Sequence, residues 1–326
     1  MTTPSVSVAL CTHNGAAYIE EQLRSILSQS AAVNQLVVSD DASSDDTLAT
    51  VERVWREAAP TAAELVVLRN ETPLGVSANF AQALRACTSD IIMLSDQDDI
   101  WREDRVAAAL RTHTSEPEAL LVHSDARLVD AKGTDLGVTL FQALEVGARD
   151  LAQERTSEAF SFLLRRNIVT GATASVRREL LEAALPVPED WVHDEWLALV
   201  AAARGRLDHI ADTLIDYRQH GANQIGVSAP TLGYKVRRML EPRGERNRTL
   251  ARRSAALATR LDELDAEAAL VQQAQAKHAF EQARALLPDS RIRRVPFILR
   301  LARSGGYERF ASQGRLDIVR DLLQPA

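Results

Sequence analysis

At 326 residues, 46% hydrophobic and 25% charged, the chain has the composition of a soluble globular protein, long enough for one large α/β domain with a C-terminal extension. A net charge of -7 argues against general nucleic-acid binding, because proteins that grip phosphate backbones carry a basic face. Cys11 and Cys87 are too few for a disulfide framework or a thiolate metal site, so a reducing cytoplasm is the expected compartment.

Residues 6–10 read as a buried strand, and Tyr18, Leu23, Ile26 and Leu27 follow at near-helical spacing. The strand signal returns at 35–38. Ser43-Ser44-Asp45 then offers N-cap chemistry to a helix whose apolar stripe is Leu48, Val51, Val54 and Trp55. Residues 65–68 (strand), 78–86 (helix) and 91–94 (strand) complete a βαβαβαβ series, which predicts a mostly parallel sheet with right-handed crossovers. Beyond 115 the alternation loosens: 120–123, 127–129, 172–176 and 213–216 read as strands and 159–164 as a helix. From 229 onward the pattern is helical, with Leu250, Leu257, Leu261, Leu264, Ala268 and Val271 at heptad-like intervals. The expected division is an α/β domain over 1–228 and a helical extension over 229–326. The start, Met1-Thr2-Thr3-Pro4, lacks signal-peptide regions, and no stretch reaches the roughly 18 apolar residues of a spanning helix.

Asp96-Gln97-Asp98-Asp99 directly follows the apolar run Ile91-Ile92-Met93-Leu94, which puts three carboxylates where a buried strand emerges. They repel one another unless a cation intervenes, so the cluster predicts a divalent metal on hard oxygen ligands, with positions left open for a phosphorylated ligand. The competing account is that Asp98 or Asp99 caps a helix opened by Trp101. A second acidic turn, Ser39-Asp40-Asp41-Ala42-Ser43-Ser44-Asp45, favours the metal, because parallel sheets bind ligands beyond the carboxyl ends of their strands.

With Val8-Ala9-Leu10-Cys11-Thr12-His13-Asn14-Gly15, these two segments, continued to Thr47 and Trp101, resemble in order the motifs of the inverting nucleotide-sugar glycosyltransferases of family 2, which have the GT-A fold. The resemblance covers residues 5–226, and Ser-Asp-Gln-Asp-Asp-Ile-Trp looks most like bacterial rhamnosyltransferase-type members. Two departures, Cys11-Thr12-His13-Asn14 for the usual Pro-Thr-Tyr-Asn and Ala42 for a common Gly, remove no required side chain. The resemblance implies that Thr12, Asn14 and Asp41 line the nucleoside pocket, Asp96 lies by the ribose and diphosphate, and Asp98 is the principal ligand of a Mg²⁺ or Mn²⁺ ion. Asp99 would orient the loop or cap its helix. Val192-His193-Asp194-Glu195-Trp196-Leu197 resembles the segment bearing the catalytic base; Asp194 is chosen, with Glu195 as its rival and a first-turn helix acid as the ordinary alternative. In Tyr217-Arg218-Gln219-His220, His220 is a candidate metal ligand and Arg218 a candidate phosphate donor. Gly171 marks a donor or acceptor loop, or else a tight turn. Trp196, with Trp101 and Trp191, is a candidate sugar-facing aromatic, core packing being the alternative.

The implied activity is inverting transfer of a sugar, with L-rhamnose from dTDP-rhamnose preferred, to a saccharide or lipid-linked saccharide in envelope polysaccharide synthesis. The alternatives are a sugar-phosphate nucleotidyltransferase, whose usual Gly-rich phosphate loop is missing here, and a non-catalytic saccharide-binding or scaffold protein. Lys235, Arg237, Arg238, Arg291, Arg293, Arg294, Arg300 and Arg303 stand among apolar residues. That pattern fits a peripheral contact with the inner face of the cytoplasmic membrane, a homo-oligomer contact or a solvated face.

Overall fold

The computed structural model describes residues 3–58, 63–220 and 244–325, so Lys235, Arg237 and Arg238 lie outside the described residues. In chain order come β1 (Val6–Thr12), α1 (Ile19–Leu27), β2 (Gln35–Asp40), α2 (Thr47–Ala58), β3 (Glu64–Arg69), α3 (Val76–Ala86) and β4 (Ile91–Ser95), the expected alternation. Next are β5 (Ile100–Trp101), α4 (Arg105–Ser115), β6 (Ala119–Val129), β7 (Asp135–Thr139), α5 (Leu140–Ala143), α6 (Ala148–Glu154) and α7 (Ala159–Leu163). A 3-10 turn at Gly171–Thr173 precedes β8 (Ser175–Arg177), α8 (Arg178–Ala184), α9 (His193–Arg204) and β9 (Arg206–Arg218). The described residues beyond 243 form only helices: α10 (Gly244–Glu263), α11 (Ala268–Ala285), α12 (Arg291–Arg303), α13 (Gly306–Phe310) and α14 (Leu316–Leu323). The contacts divide the chain into one unit of residues 1–156 and 168–227 and another of 157–167 and 228–326. The second unit thus takes in 157–167, a segment that the sequence groups with the first domain.

In the first unit the strands lie in the order β3-β2-β1-β4-β8-β6-β9-β5, with β7 paired to β6. β1, β2, β3, β4, β6 and β9 run one way and β5, β7 and β8 the other, giving a mostly parallel α/β sheet. Every residue of β1, β2 and β4 is buried, as befits strands covered on both faces. The register sets Thr12 opposite Asp40 and Leu10 opposite Ser95, so the carboxyl ends of β1, β2 and β4 finish together. The segments after them share one edge.

Three expectations are corrected. Trp101 opens no helix: it pairs with Ile215 in β5, α4 begins at Arg105, and neither Asp98 nor Asp99 is a cap. The strands expected at 120–123 and 127–129 are one strand, β6, held by β9 through register shifts that a period-two pattern does not reveal. The heptad-like run from Leu250 to Val271 crosses the turn between α10 and α11.

Beside the β6–β9 pairing, the wholly buried Glu154 carboxylate lies between two imidazoles: His123 Nε2 is 2.9 Å from Oε2 and His209 Nδ1 is 2.5 Å from Oε1. Burial alone would raise its pKa, but the charge and hydrogen bond of His123, with the contacts of His209, outweigh burial and hold the carboxyl at about 2. A carboxyl depressed below its ordinary 4.5 stabilises the fold fully above that pH and loses its contribution as pH falls towards 2. The difference amounts to on the order of 3 kcal/mol. Urea unfolding between pH 5 and 3 is therefore expected to steepen with acid in the wild type and to be markedly flatter in Glu154→Gln; equal slopes would remove Glu154 from the account of acid stability.

The helical unit has its own core of Phe280, Leu287, Ile298, Tyr307, Phe310 and Ala311. Asp321 is fully buried there and is satisfied by Arg284 through two bonds of 2.7 and 3.0 Å and by the Tyr307 hydroxyl at 2.8 Å. A buried charge survives only with partners of this kind.

Candidate active site

The site edge is built first by β1 and β2. The Thr12 hydroxyl donates to Asp40 Oδ2 at 2.7 Å, and Asp40 also accepts from the Ser43 amide and hydroxyl, which folds the turn after β2. Asn14 has a left-handed φ of 48°, tolerable for Asn, and its Oδ1 accepts from the Ser44 amide at 2.9 Å. Asp41 accepts at Oδ1 from the Leu74 amide and Asn70 Nδ2, and at Oδ2 from the Gly75 amide at 2.9 Å. Those three bonds leave one of a carboxylate's roughly four acceptor positions, on Oδ2. Gln97 carries no functional signal in the sequence, where its acidic neighbours stand out. Its amide joins the loop after β4 to the one after β1, accepting from His13 N at 2.8 Å and donating to His13 O at 3.0 Å. A Cβ on Gly15 would lie 2.2 Å from Gln97 Oε1, so a larger residue there would push the Gln97 amide off the His13 backbone.

The acidic loop after β4 gathers around this edge. Burial pushes the Asp96 carboxyl up to about 7, with repulsion from Asp98 and then Asp194 adding to the effect and Arg105 offsetting part of it. Asp96 thus feels the two groups expected on either side of the reaction. Asp98 Oδ2 is 2.8 Å from His220 Nε2, and the His220 ring stacks on Tyr18 with centroids 4.7 Å apart. Asp99 orients the loop: its Oδ1 accepts from the Arg218 amide at 3.0 Å, while its buried Oδ2 has no hydrogen-bond partner among the described residues. Burial, then Asp98 and Asp96, holds its carboxyl well above the usual range.

Two arginines brace these acids. Arg218 donates through Nε to Asp98 O at 2.7 Å, through Nη1 to Ala131 O and through Nη2 to Glu21 at 2.6 Å. Its fork therefore lies beneath the loop, already engaged, where the sequence suggested a phosphate donor. Arg105, not singled out in the sequence, is buried over the Trp101 ring at 3.7 Å and donates to Leu94 O and Ala172 O. Burial lowers its pKa to about 9 against the pull of Asp99 and Asp96. An arginine soon after an acidic motif was the only available signal.

Asp194 sits in the first turn of α9, where its Oδ2 accepts from the Gly171 amide at 3.0 Å. The 3-10 turn and the proposed base are thereby fixed to each other. His193 is buried against the Phe80 ring, stacked at 4.0 Å, and a Cβ on Gly171 would lie 2.6 Å from His193 Nε2. Gly171→Ala must therefore displace His193 and the Asp194 turn, at a cost of about 1–3 kcal/mol. A lowered thermal midpoint together with reduced turnover is expected; wild-type values in both would show that the turn yields freely. Trp196 is wholly buried, donates from Nε1 to Ala184 O at 2.6 Å and packs against Trp191, so the structure places it in the core instead of on a sugar. Among the described residues no three His, Cys, Asp or Glu side chains converge as a preformed metal cage.

The motif segments thus share one sheet edge, and the profile of Glycosyl transferase family 2 matches residues 7–184. The chain belongs to glycosyl transferase family 2. Among its relatives, the dTDP-rhamnosyl transferase RfbG of Shigella flexneri is 26% identical over 232 residues, 67% of this chain and 74% of that protein. The uncharacterized glycosyltransferase alr2836 of Nostoc is 26% identical over 227 residues; the match covers 67% of this chain and 66%, just under two thirds, of that protein's length. Among solved structures, S. aureus TarS 1-349 in complex with UDP-GlcNAc aligns with TM-score 0.62 at 17% identity, over 98% of this chain and 90% of that one. A mannosyltransferase of Pyrobaculum calidifontis in complex with GDP-Man and Mn²⁺ aligns with TM-score 0.55 at 21% identity, over 99% and 85%. The fold is that of the GT-A glycosyltransferases.

Proposed function

We propose that the protein is an inverting glycosyltransferase that takes a sugar from a nucleotide-diphosphate donor, dTDP-L-rhamnose by preference, to a saccharide or lipid-linked saccharide acceptor of envelope polysaccharide synthesis in the cytoplasm. The observation that carries the reading is the common finish of β1, β2 and β4, which brings the segments bearing Thr12, Asp41, Asp96 and Asp98 to one sheet edge, with Asp98 Oδ2 2.8 Å from His220 Nε2. The raised Asp96 carboxyl, owed first to burial and then to Asp98 and Asp194, supports a leaving-group end and a base end near one another.

Asp98 and His220 supply an oxygen and a nitrogen donor side by side, and the charge crowding at Asp96, Asp98 and Asp99 suits a divalent cation. Mg²⁺ and Mn²⁺ commonly take one or two protein groups and complete their shell with phosphates and water, so a preformed cage is not needed. When bound, such an ion would neutralise charge developing on the diphosphate. On this reading Asp98 and His220 hold it, with Asp96 beside the ribose. The remaining acceptor position of Asp41 takes the imide N–H of uracil or thymine, and Asn14 closes the pocket over the base. Thr12 acts through Asp40, and Arg218 by bracing Asp98. Gly171 lets the backbone approach the sugar, and Asp194 accepts the proton of the attacking hydroxyl.

Rhamnose rests on the Shigella relative, named a dTDP-rhamnosyl transferase, whereas the structural neighbours hold UDP-GlcNAc and GDP-Man. A panel of dTDP-L-rhamnose, UDP-GlcNAc and GDP-mannose, scored by nucleoside diphosphate release with Mn²⁺, decides among them. Release from dTDP-rhamnose above the others supports the donor. Preference for another donor overturns rhamnose, and conversion of the donor with added pyrophosphate to nucleoside triphosphate and sugar 1-phosphate would instead favour the nucleotidyltransferase.

A further inference from the structure

α12 presents most of its surface to solvent. Arg294 and Ile298, four residues apart and each 1% exposed, mark its packed stripe. Arg294 is consumed there by the carbonyls of Pro288, Asp289, Asp321 and Gln324. Ile292, Val295 and Leu299, at i, i+3 and i+7, form a second stripe on the open side, exposed by 84%, 40% and 47%. Phe297 is also 52% exposed. Arg291, Arg293, Arg300 and Arg303 are exposed around them, and no Asp or Glu occurs from 291 to 303. Among the described residues these four guanidiniums have no carboxylate partner.

Water rewards the arginines but not the apolar stripe. A second copy of the chain would cover the stripe, yet pairing α12 with itself would press like charges together with no acid in the helix to meet them. An anionic bilayer answers both, since apolar side chains enter the acyl boundary while guanidiniums fork onto phosphates. At roughly 1.5 Å per residue the helix is about 20 Å long, short of the roughly 30 Å hydrocarbon core. No described helix is long and apolar enough to cross a membrane. We propose that α12 is a membrane-docking helix that lies flat on an anionic lipid surface, its Ile292-Val295-Leu299 stripe inserted and its arginines on the headgroups.

The full-length protein is tested by cosedimentation with vesicles of phosphatidylglycerol and phosphatidylcholine, and with phosphatidylcholine alone. Neither donor nor acceptor is present, so the result stands apart from any transfer activity. Binding to the anionic vesicles at least ten-fold above the neutral ones, weakened by salt, is expected. Ile292→Ser with Leu299→Ser should lower it more than ten-fold, and Arg293→Gln with Arg300→Gln about five-fold per arginine. These side chains are exposed, so the thermal midpoint should not move. Equal binding to both vesicle types, or unaltered binding by the variants, overturns the proposal. Wild-type self-association in sedimentation velocity that the Ser variants abolish would also overturn it, assigning the stripe to a second copy.

Discussion

Asp98→Asn is expected to keep the fold and lose about 10²- to 10³-fold in turnover, together with metal-dependent nucleotide binding. The amide retains the shape of the carboxylate and a hydrogen-bonding atom for His220, now 2.8 Å away, but not the anionic charge that a hard divalent cation requires. Removing one of three crowded carboxylates should not lower the stability of the metal-free protein, since Asp98 is a source of the repulsion on Asp96 and Asp99. An unchanged or raised thermal midpoint with collapsed turnover is the expected signature. Full activity of the wild type in EDTA would reject the metal assignment, whatever the variant does.

Asp194→Asn should fail at a different step. Donor affinity measured by calorimetry should be unchanged, because the proposed nucleotide and metal residues stand at or after the ends of β1, β2, β4 and β9, whereas Asp194 belongs to α9. Turnover should fall about 10²- to 10⁴-fold, the usual worth of general-base assistance. Since Asp194 Oδ2 also accepts from Gly171 N, a thermal melt must accompany the kinetics. If Asp194→Asn stays active while Glu195→Gln is dead, the base is the neighbouring residue; if both stay active, this helix carries no base.

The sequence was most informative where local pattern and tertiary role agree. The β1–α1–β2–α2–β3–α3–β4 alternation is visible because buried parallel strands read as short apolar runs and their crossover helices as apolar stripes. The acidic strand ends were visible because their charge is out of place beside such runs. Contacts made across the fold were not. Nothing near Gln97 shows that it spans to His13, and nothing near Arg218 shows that its fork is occupied by Asp98, Ala131 and Glu21, up to 197 positions away. Trp196 misled for the same reason: an aromatic beside an acidic motif suits a sugar or a core equally well, and only its burial decides. β9 was largely missed because Asp208, His209, Asp212 and Asp216 break its apolar pattern, although Asp208 and Asp216 are matched in space by Arg155 and Arg127.

The central claim, an inverting displacement at a nucleotide-sugar, is tested most directly by proton NMR of the donor during slow, acceptor-free hydrolysis with Mn²⁺, following the anomeric signal before it mutarotates. The account predicts nucleoside diphosphate together with free sugar whose first-formed anomer is opposite to that of the donor, and neither product from Asp98→Asn. A first-formed sugar with the donor's own configuration, or cleavage that gives nucleoside monophosphate and sugar 1-phosphate, would contradict it.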